Sequence, residues 1–187
     1  MLEVNFDPFP VLETQRLCLR KFTTEDTPAM FVLRSDEEIM HFIPRPLAKT
    51  EQDARELIDK MNTGIANAEL INWAIVLKET NALIGLVGFV KIHKEHYRGE
   101  LGYMLHKNFH GKGLMLEATT AVIEHGFNTM NLHSIEAIIN PANSKSARVL
   151  ERHNFRKEAH FKENFFHRGV FEDTIIFGLL KSDYKKS

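Results

Sequence analysis

Residues Glu100–Asn128, ELGYMLHKNFHGKGLMLEATTAVIEHGFN, change character twice. The apolar run Leu101–Leu105 gives way to a polar loop that reaches His110-Gly111-Lys112-Gly113. Leu114, Ala118, Ala121 and Val122 then recur at one-turn spacing, as on the buried face of an amphipathic helix. The order is strand, glycine-bearing turn, helix. The first N–H groups of a helix lack partners inside it and carry the positive end of its dipole. Two glycines at that point let a phosphate lie against the backbone, and Lys112 adds a cation. The chemical reading is a diphosphate cradle, although Gly-x-Gly at such a turn also serves close packing. A Walker A loop is excluded, because Leu114 stands where magnesium needs Ser or Thr. The dinucleotide fingerprint is excluded too, since it needs a third glycine and an early strand.

Working outward, Leu12–Phe22 alternates and reads as a first strand, with Leu17 and Leu19 facing the core. A helix capped by Thr23 or Thr24 runs through Leu33. A second starts near Thr50, with Asp53 three residues on, buries Ala54, Leu57, Ile58 and Met61, and ends near Gly64. Trp73–Leu77, Leu83–Ile92 and Glu100–Leu105 form a three-stranded meander. After the glycine turn and its helix come a strand at Ser134–Ile139, a short helix at Asn143–Arg152, and closing strands near Arg156–Glu163 and Val170–Leu179. Trp73, Phe165 and Phe166 are expected in the core, with an aromatic lip on a peptide cleft as the other reading, and the charged tail Lys181–Ser187 is expected to fray. This is one α+β (mixed α/β) domain over residues 1–187, with a central, mostly antiparallel sheet of about seven strands flanked by helices.

The near-equal 24 basic and 25 acidic side chains give no global reason to expect nucleic acid or an anionic membrane as partner. A single cysteine, Cys18, excludes an internal disulfide and favours no oxidising compartment. MLEVNFDPFP has acids and prolines where a signal peptide has basic then apolar residues, and no apolar run approaches a membrane span. A cytoplasmic protein is expected.

The segment around GKGLM-x-EA resembles the central motif of the GNAT superfamily of acyl-CoA N-acetyltransferases, and in particular its ribosomal-protein alanine and serine N-acetyltransferase branch. His110 stands where the usual pattern begins with Gln or Arg, and Met115 where it ends with Gly or Ala. ET-x-RL-x-LR, at Glu13–Arg20, is similar to the opening of the same branch, and NPANSKSARVLER-x-x-F to the family's second motif. The resemblance implies acetyl-CoA as co-substrate and no metal. It implies that the backbone of His110, Gly111, Lys112, Gly113, Leu114 and Met115 grips the diphosphate. It also implies that the strand end Tyr103, Met104, Leu105 and His106 bonds the pantetheine arm through its amides and polarises the thioester, as backbone donors aimed at a developing oxyanion do.

Asn143 and Ser146 share a face of the short helix, and the resemblance places the first against pantetheine and the second near the sulfur. Asn143 is also a natural helix cap. Many members carry a Tyr as general acid near Leu150; none stands here, so Ser146 or water must protonate the thiolate. Asn154 replaces a Gly before Phe155 and tolerates the left-handed turn needed there. The acceptor amine must lose a proton. Glu100 is the first candidate base, with a solvated strand residue as the other reading; Glu163, in the closing hairpin, is the second. His93 and His96 fall in a turn and do not read as a metal pair, and Cys18 has no partner His. The acceptor is expected to be a protein N-terminus, with a small amine such as a polyamine, amino acid or antibiotic as the alternative. A domain that binds acyl-CoA without turnover is the third reading.

Overall fold

The computed structural model describes residues 1–184. Its strands are β1 (Leu12–Glu13), β2 (Leu17–Arg20), β3 (Ile71–Leu77), β4 (Leu83–His93), β5 (Arg98–Leu105), β6 (Ser134–Ile139), β7 (Arg156–His167) and β8 (Val170–Leu180). Its helices are α1 (Thr27–Ser35), α2 (Glu51–Ala66), α3 (Leu114–Asn128) and α4 (Ser144–Arg152). The strands form one eight-stranded sheet in the order β1-β2-β3-β4-β5-β6-β8-β7.

The expected strand at Leu12–Phe22 is in fact two, which accounts for eight strands rather than about seven. Thr14 N–H donates to the Leu17 carbonyl and Leu17 N–H to Thr14 Oγ1, so Thr14–Arg16 folds back as a turn. The first helix also starts late. Thr24–Asp26 is a single 3-10 turn, and the α-helix proper begins at Thr27, where Pro28 suits a first turn. At α2 the expected cap is present: Thr50 Oγ1 accepts from Asp53 N–H, and the Asp53 carboxylate accepts from Thr50 N–H.

Both faces of the sheet are covered, so β3 is apolar apart from the buried Asn72, and its alternation sorts residues between two cores. Ile71, Trp73 and Ile75 pack on the α3–α4 side with Val122, Ile123 and Phe127. Ala74 and Val76 pack on the other side with Ile58 and Met61 of α2. Each fully buried Ile, Val or Phe contributes roughly 1.5–3 kcal/mol.

One pairing sets up the site. Every neighbouring pair is antiparallel except β5–β6, which is parallel for only three residues, Arg98–Glu100 against Ser134–Glu136. Beyond Glu100 the two strands part. The divergence begins where β4 carries an extra residue, Val90, between the partners of Leu101 and Glu100. Such a bulge bends and twists its strand locally. Gly102 makes room for it, since a Cβ there would sit 2.7 Å from Val90 Cγ1.

Two further expectations are corrected. Phe165 and Phe166 are 36% and 61% exposed rather than in the core, because β7 is an edge strand with only β8 beside it. The tail does not fray from Lys181: Lys181 N–H donates to the His133 carbonyl, and the Tyr184 ring lies 5.3 Å from that of Phe127. Residues 185–187 lie outside the described residues. Among the described residues no helix is long and apolar enough to cross a membrane.

Candidate active site

After β5 the chain makes one 3-10 turn at Lys107–Phe109 and returns toward the strand it left. His110 Nε2 lies 2.9 Å from the Leu105 carbonyl, a contact that requires the Nε2–H tautomer and ties the loop to the strand end. Gly111 and Gly113 follow with φ of +75° and +76°, the left-handed region that glycine enters without strain. Among the described residues the N–H groups of Gly111, Lys112 and Gly113 have no partner, and no side chain caps α3. A Cβ at Gly111 would meet nothing within 4 Å. The result is an open concavity of backbone donors at the positive end of a four-turn helix.

A clamp that sequence reasoning missed holds this loop. Glu117, in the first turn of α3, accepts from Thr14 Oγ1 at 2.6 Å, from Arg16 N–H at 2.7 Å and from Arg16 Nε at 2.7 Å. Arg16 then donates through Nη1 to the Lys112 carbonyl at 2.9 Å. Burial pushes the Glu117 carboxyl up, but these hydrogen bonds outweigh it and hold it below the usual range. The two separate stretches ET-x-RL and GKGLM-x-EA therefore meet at one ion pair. Lys112 Nζ sits 5.3 Å over the Phe109 ring.

The gap between β5 and β6 adjoins the loop. His106 N–H donates to the Ile84 carbonyl of the β4 side. Alternation along β5 then turns the N–H groups of Tyr103 and Leu105 away from β4, toward the gap. Side chains alternate as well. Leu101 and Leu105 lie in the α3–α4 core with Tyr103 against it, whereas Met104 packs with Leu33 and Met40 on the α1 side. On the α4 side, Ser146 is only 9% exposed and its Oγ lies 2.7 Å from Tyr103 Oη. Burial pushes the Tyr103 phenol up to about 12, so it remains a neutral donor. Asn143 caps α4 by accepting from Ser146 N–H at 3.1 Å. Leu150 is fully buried, and Asn154 adopts a φ of 63°, the turn its side chain was expected to tolerate.

Glu100 and Glu136 are directly paired across β5–β6. Burial, then the Glu136 carboxylate, push Glu100 above the usual carboxylate range, against Lys91, His93 and Arg45. Glu136 itself is met by Arg98 Nε at 3.2 Å and His93 Nε2 at 3.7 Å. Potential ligand atoms of His93, Glu100 and Glu136 lie within 4.8 Å of one another. Arg98 and Lys91 already bring positive charge to that place. The sequence signal for Glu136 was there to be used: it is the lone charge in the strand SIEAII.

Glu163 is not brought to this cluster. It sits exposed in an irregular stretch of β7 with a φ of 48°, and its N–H donates to Asp173 Oδ1 at 2.9 Å. Lys162 and His160 bond the same carboxylate, each at 2.8 Å, and hold Asp173 well below the usual range. Cys18 is half-buried, and burial followed by Glu13 pushes its thiol up, away from the nucleophilic form.

Residues 16–156 match the acetyltransferase (GNAT) domain family. An uncharacterized N-acetyltransferase p20 of Bacillus licheniformis is 34% identical over 173 residues, 92% of this chain and 97% of that one. The crystal structure of a GNAT-family acetyltransferase from Bacillus anthracis is 31% identical and superposes with a TM-score of 0.83, over 92% of this chain and 99% of that one. The ribosomal L7/L12 α-N-protein acetyltransferase RimL, solved in complex with coenzyme A, shares the fold at 17% identity, with a TM-score of 0.85 over 93% and 99% of the two chains.

Proposed function

The chain belongs to the GNAT family of acetyl-CoA-dependent N-acetyltransferases, and from that premise we propose that its acceptor is the α-amine of a protein N-terminus, acetylated by direct transfer. The unpartnered N–H groups of Gly111–Gly113 and the start of α3 at Leu114 and Met115 hold the diphosphate, with Lys112 beside it. The outward amides of Tyr103 and Leu105 hold the pantetheine arm and polarise the thioester carbonyl, and Asn143 orders the helix turn that presents Ser146.

One observation carries the reading: the two faces of β5 present opposite ends of a single reaction. Tyr103 and Ser146 lie on the α3–α4 face, while Glu100 shares the alternation of Met104 and looks toward α1 and the loop that follows it. The donor thioester enters from the first face and the amine from the second, meeting in the β5–β6 gap. Glu100 takes a proton from the ammonium, directly or through one water. The neutral amine nitrogen bonds to the acetyl carbon, the C–S bond breaks, and the second proton lost by that nitrogen passes through the Ser146 hydroxyl or a water to the departing sulfur, so that Ser146 ends as it began. With the phenol O–H of Tyr103 donating to Ser146 Oγ, the serine hydroxyl is free to point at the sulfur.

The protein acceptor is supported by the likeness of GKGLM-x-EA and ET-x-RL to the ribosomal-protein branch. Incubation with labelled acetyl-CoA and a panel of N-terminal peptides, polyamines and amino acids tests it. Label on peptide α-amines is expected; label on small amines alone removes the protein acceptor.

A further inference from the structure

Glu100 lies on the side of the sheet covered by α1 and by loop 36–50, and Arg45 of that loop is within electrostatic range of its carboxylate. Opposite the loop stands the tip of the β7–β8 hairpin, turned by Arg168 and Gly169 at φ of 49° and 83°. Between them opens a cavity of about 580 Å³ whose charged lining is Glu37, Arg45, Lys49, His167 and Arg168. Arg45 links this rim to the Glu100 carboxylate, and on the reading of Glu100 as the residue that meets the amine the acceptor approaches past it.

The rim and the floor have opposite signs. Arg45 and Arg168 are exposed and form no ion pair or side-chain hydrogen bond among the described residues. Lys49 is partly matched by Asp53, and His167 Nδ1 lies 3.5 Å from Glu172. Glu37 is the single carboxylate in the lining, against three full cations. On the same side of the sheet lie Glu100 and its cross-strand partner Glu136, the acidic floor of the proposed acceptor path, with only Glu136 closely paired. A ligand complementary to this gradient has an ammonium at its leading end and carboxylates behind it. In an extended peptide each residue advances about 3.3 Å, so the residues after the α-amine lie along the rim.

We propose that Arg45 and Arg168 select protein N-termini whose first residues after the α-amine carry acidic side chains. The inference rests on the reading of Glu100 as the residue that meets the acceptor amine. It separates two acceptors that the acidic floor alone does not. A polyamine would place further ammonium groups against the guanidinium rim, where like charges repel; an acidic peptide would find two unpaired guanidiniums there.

Three peptides of equal length test it, each with N-terminal serine and either two acids, two neutral amides or two lysines at positions two and three. Spermidine is run in parallel, and kcat/KM is compared for the parent chain and for Arg45→Glu, Arg168→Glu and the double variant. The parent is expected to favour the acidic over the basic peptide by about a hundredfold at low ionic strength. The preference should narrow as salt rises. It should vanish or invert in the double variant, while coenzyme A affinity by calorimetry stays constant. Equal use of the three peptides, or a preference that survives both charge reversals, overturns the inference and leaves the α-amine reading standing. Turnover of spermidine with no peptide acetylated overturns both.

Discussion

The glycine loop at residues 106–114 and the mouth between loop 36–50 and the β7–β8 tip are built from different materials, although Lys107 of the first reaches Asp36 of the second at 2.9 Å. The loop offers main-chain N–H groups, placed by two positive-φ glycines and a helix start and held by a carboxylate clamp. The mouth offers exposed side chains from two segments far apart in sequence. Main-chain recognition depends on conformation, so it suits the invariant end of the chemistry, a coenzyme that never changes. Side-chain recognition depends on which residues stand at a few exposed places, so it can be rewritten without disturbing the core. On this comparison, changes at the loop should act on coenzyme A and changes near the mouth on the acceptor.

The largest effect is expected at Gly113. Its Cβ would point to within 3.6 Å of Arg16 Nη2, so the carboxylate of Gly113→Asp would reach the guanidinium and occupy the anion site from within. Coenzyme A binding should fall by roughly a thousandfold or more, several kcal/mol of lost charge complementarity. Gly113→Asn carries the same bulk and tolerates positive φ, and should lose far less. Calorimetry checks both variants, with thermal unfolding to show that each is folded. Equal affinity for parent and Gly113→Asp would remove the diphosphate from this loop.

Glu100→Gln probes the other end. Turnover should drop by about a hundredfold, the range a general base supplies, with coenzyme A affinity unchanged. The rate should recover at high pH, where the amine is already neutral. Glu163→Gln is the control, since Glu163 is exposed on the edge strand and engaged with Asp173 through its N–H. If Glu163→Gln carries the loss instead, the base belongs to the hairpin, and the contrast between loop and mouth has to be redrawn.

The same contrast explains what could be read before the fold was known. Gly111 and Gly113 stand one residue apart with positive φ, and a helix follows at once, so the loop left a contiguous mark. The order of strands and helices was legible because both cores impose strict periodicity, as at β3 and α3. Tyr103 was read only through its amide: nothing local reveals that its phenol meets Ser146, forty-three residues away. Glu136, Arg45 and Arg168 were not assigned for the same reason, since they stand on three separate segments. Phe165 and Phe166 were misplaced because an apolar residue on an edge strand has the same local pattern as one in the core.

The clamp should give a smaller, one-sided effect. Arg16→Ala removes the guanidinium donors to Glu117 and to the Lys112 carbonyl but leaves the residue-16 N–H and Thr14 Oγ1 on Glu117, and both glycines, in place. Coenzyme A affinity should fall by about tenfold, the worth of a hydrogen bond between charged groups. Discrimination among acceptor peptides should not move. A change in peptide preference, measured as the ratio of kcat/KM values, would mean that the two ends are coupled through α3.

The smallest expected change is a shift of one limb of a pH profile. Glu100 must be ionised to take a proton, so the acid limb of kcat/KM reports its pKa in the free enzyme. Burial comes first in raising that pKa and the Glu136 carboxylate second, while Lys91, His93 and Arg45 act the other way. Glu136→Gln removes the like charge and keeps the shape. The carboxylate of Glu100 then forms more easily, its pKa falls, and the limb moves to lower pH. It should stay above that of an ordinary glutamate, because burial is untouched. Arg98 loses its partner in this variant and becomes one more cation near Glu100, which pushes the limb the same way. A limb that stays put, or moves up, would mean that the group titrating there is not Glu100, and the base would have to be sought among groups that Glu136 does not face.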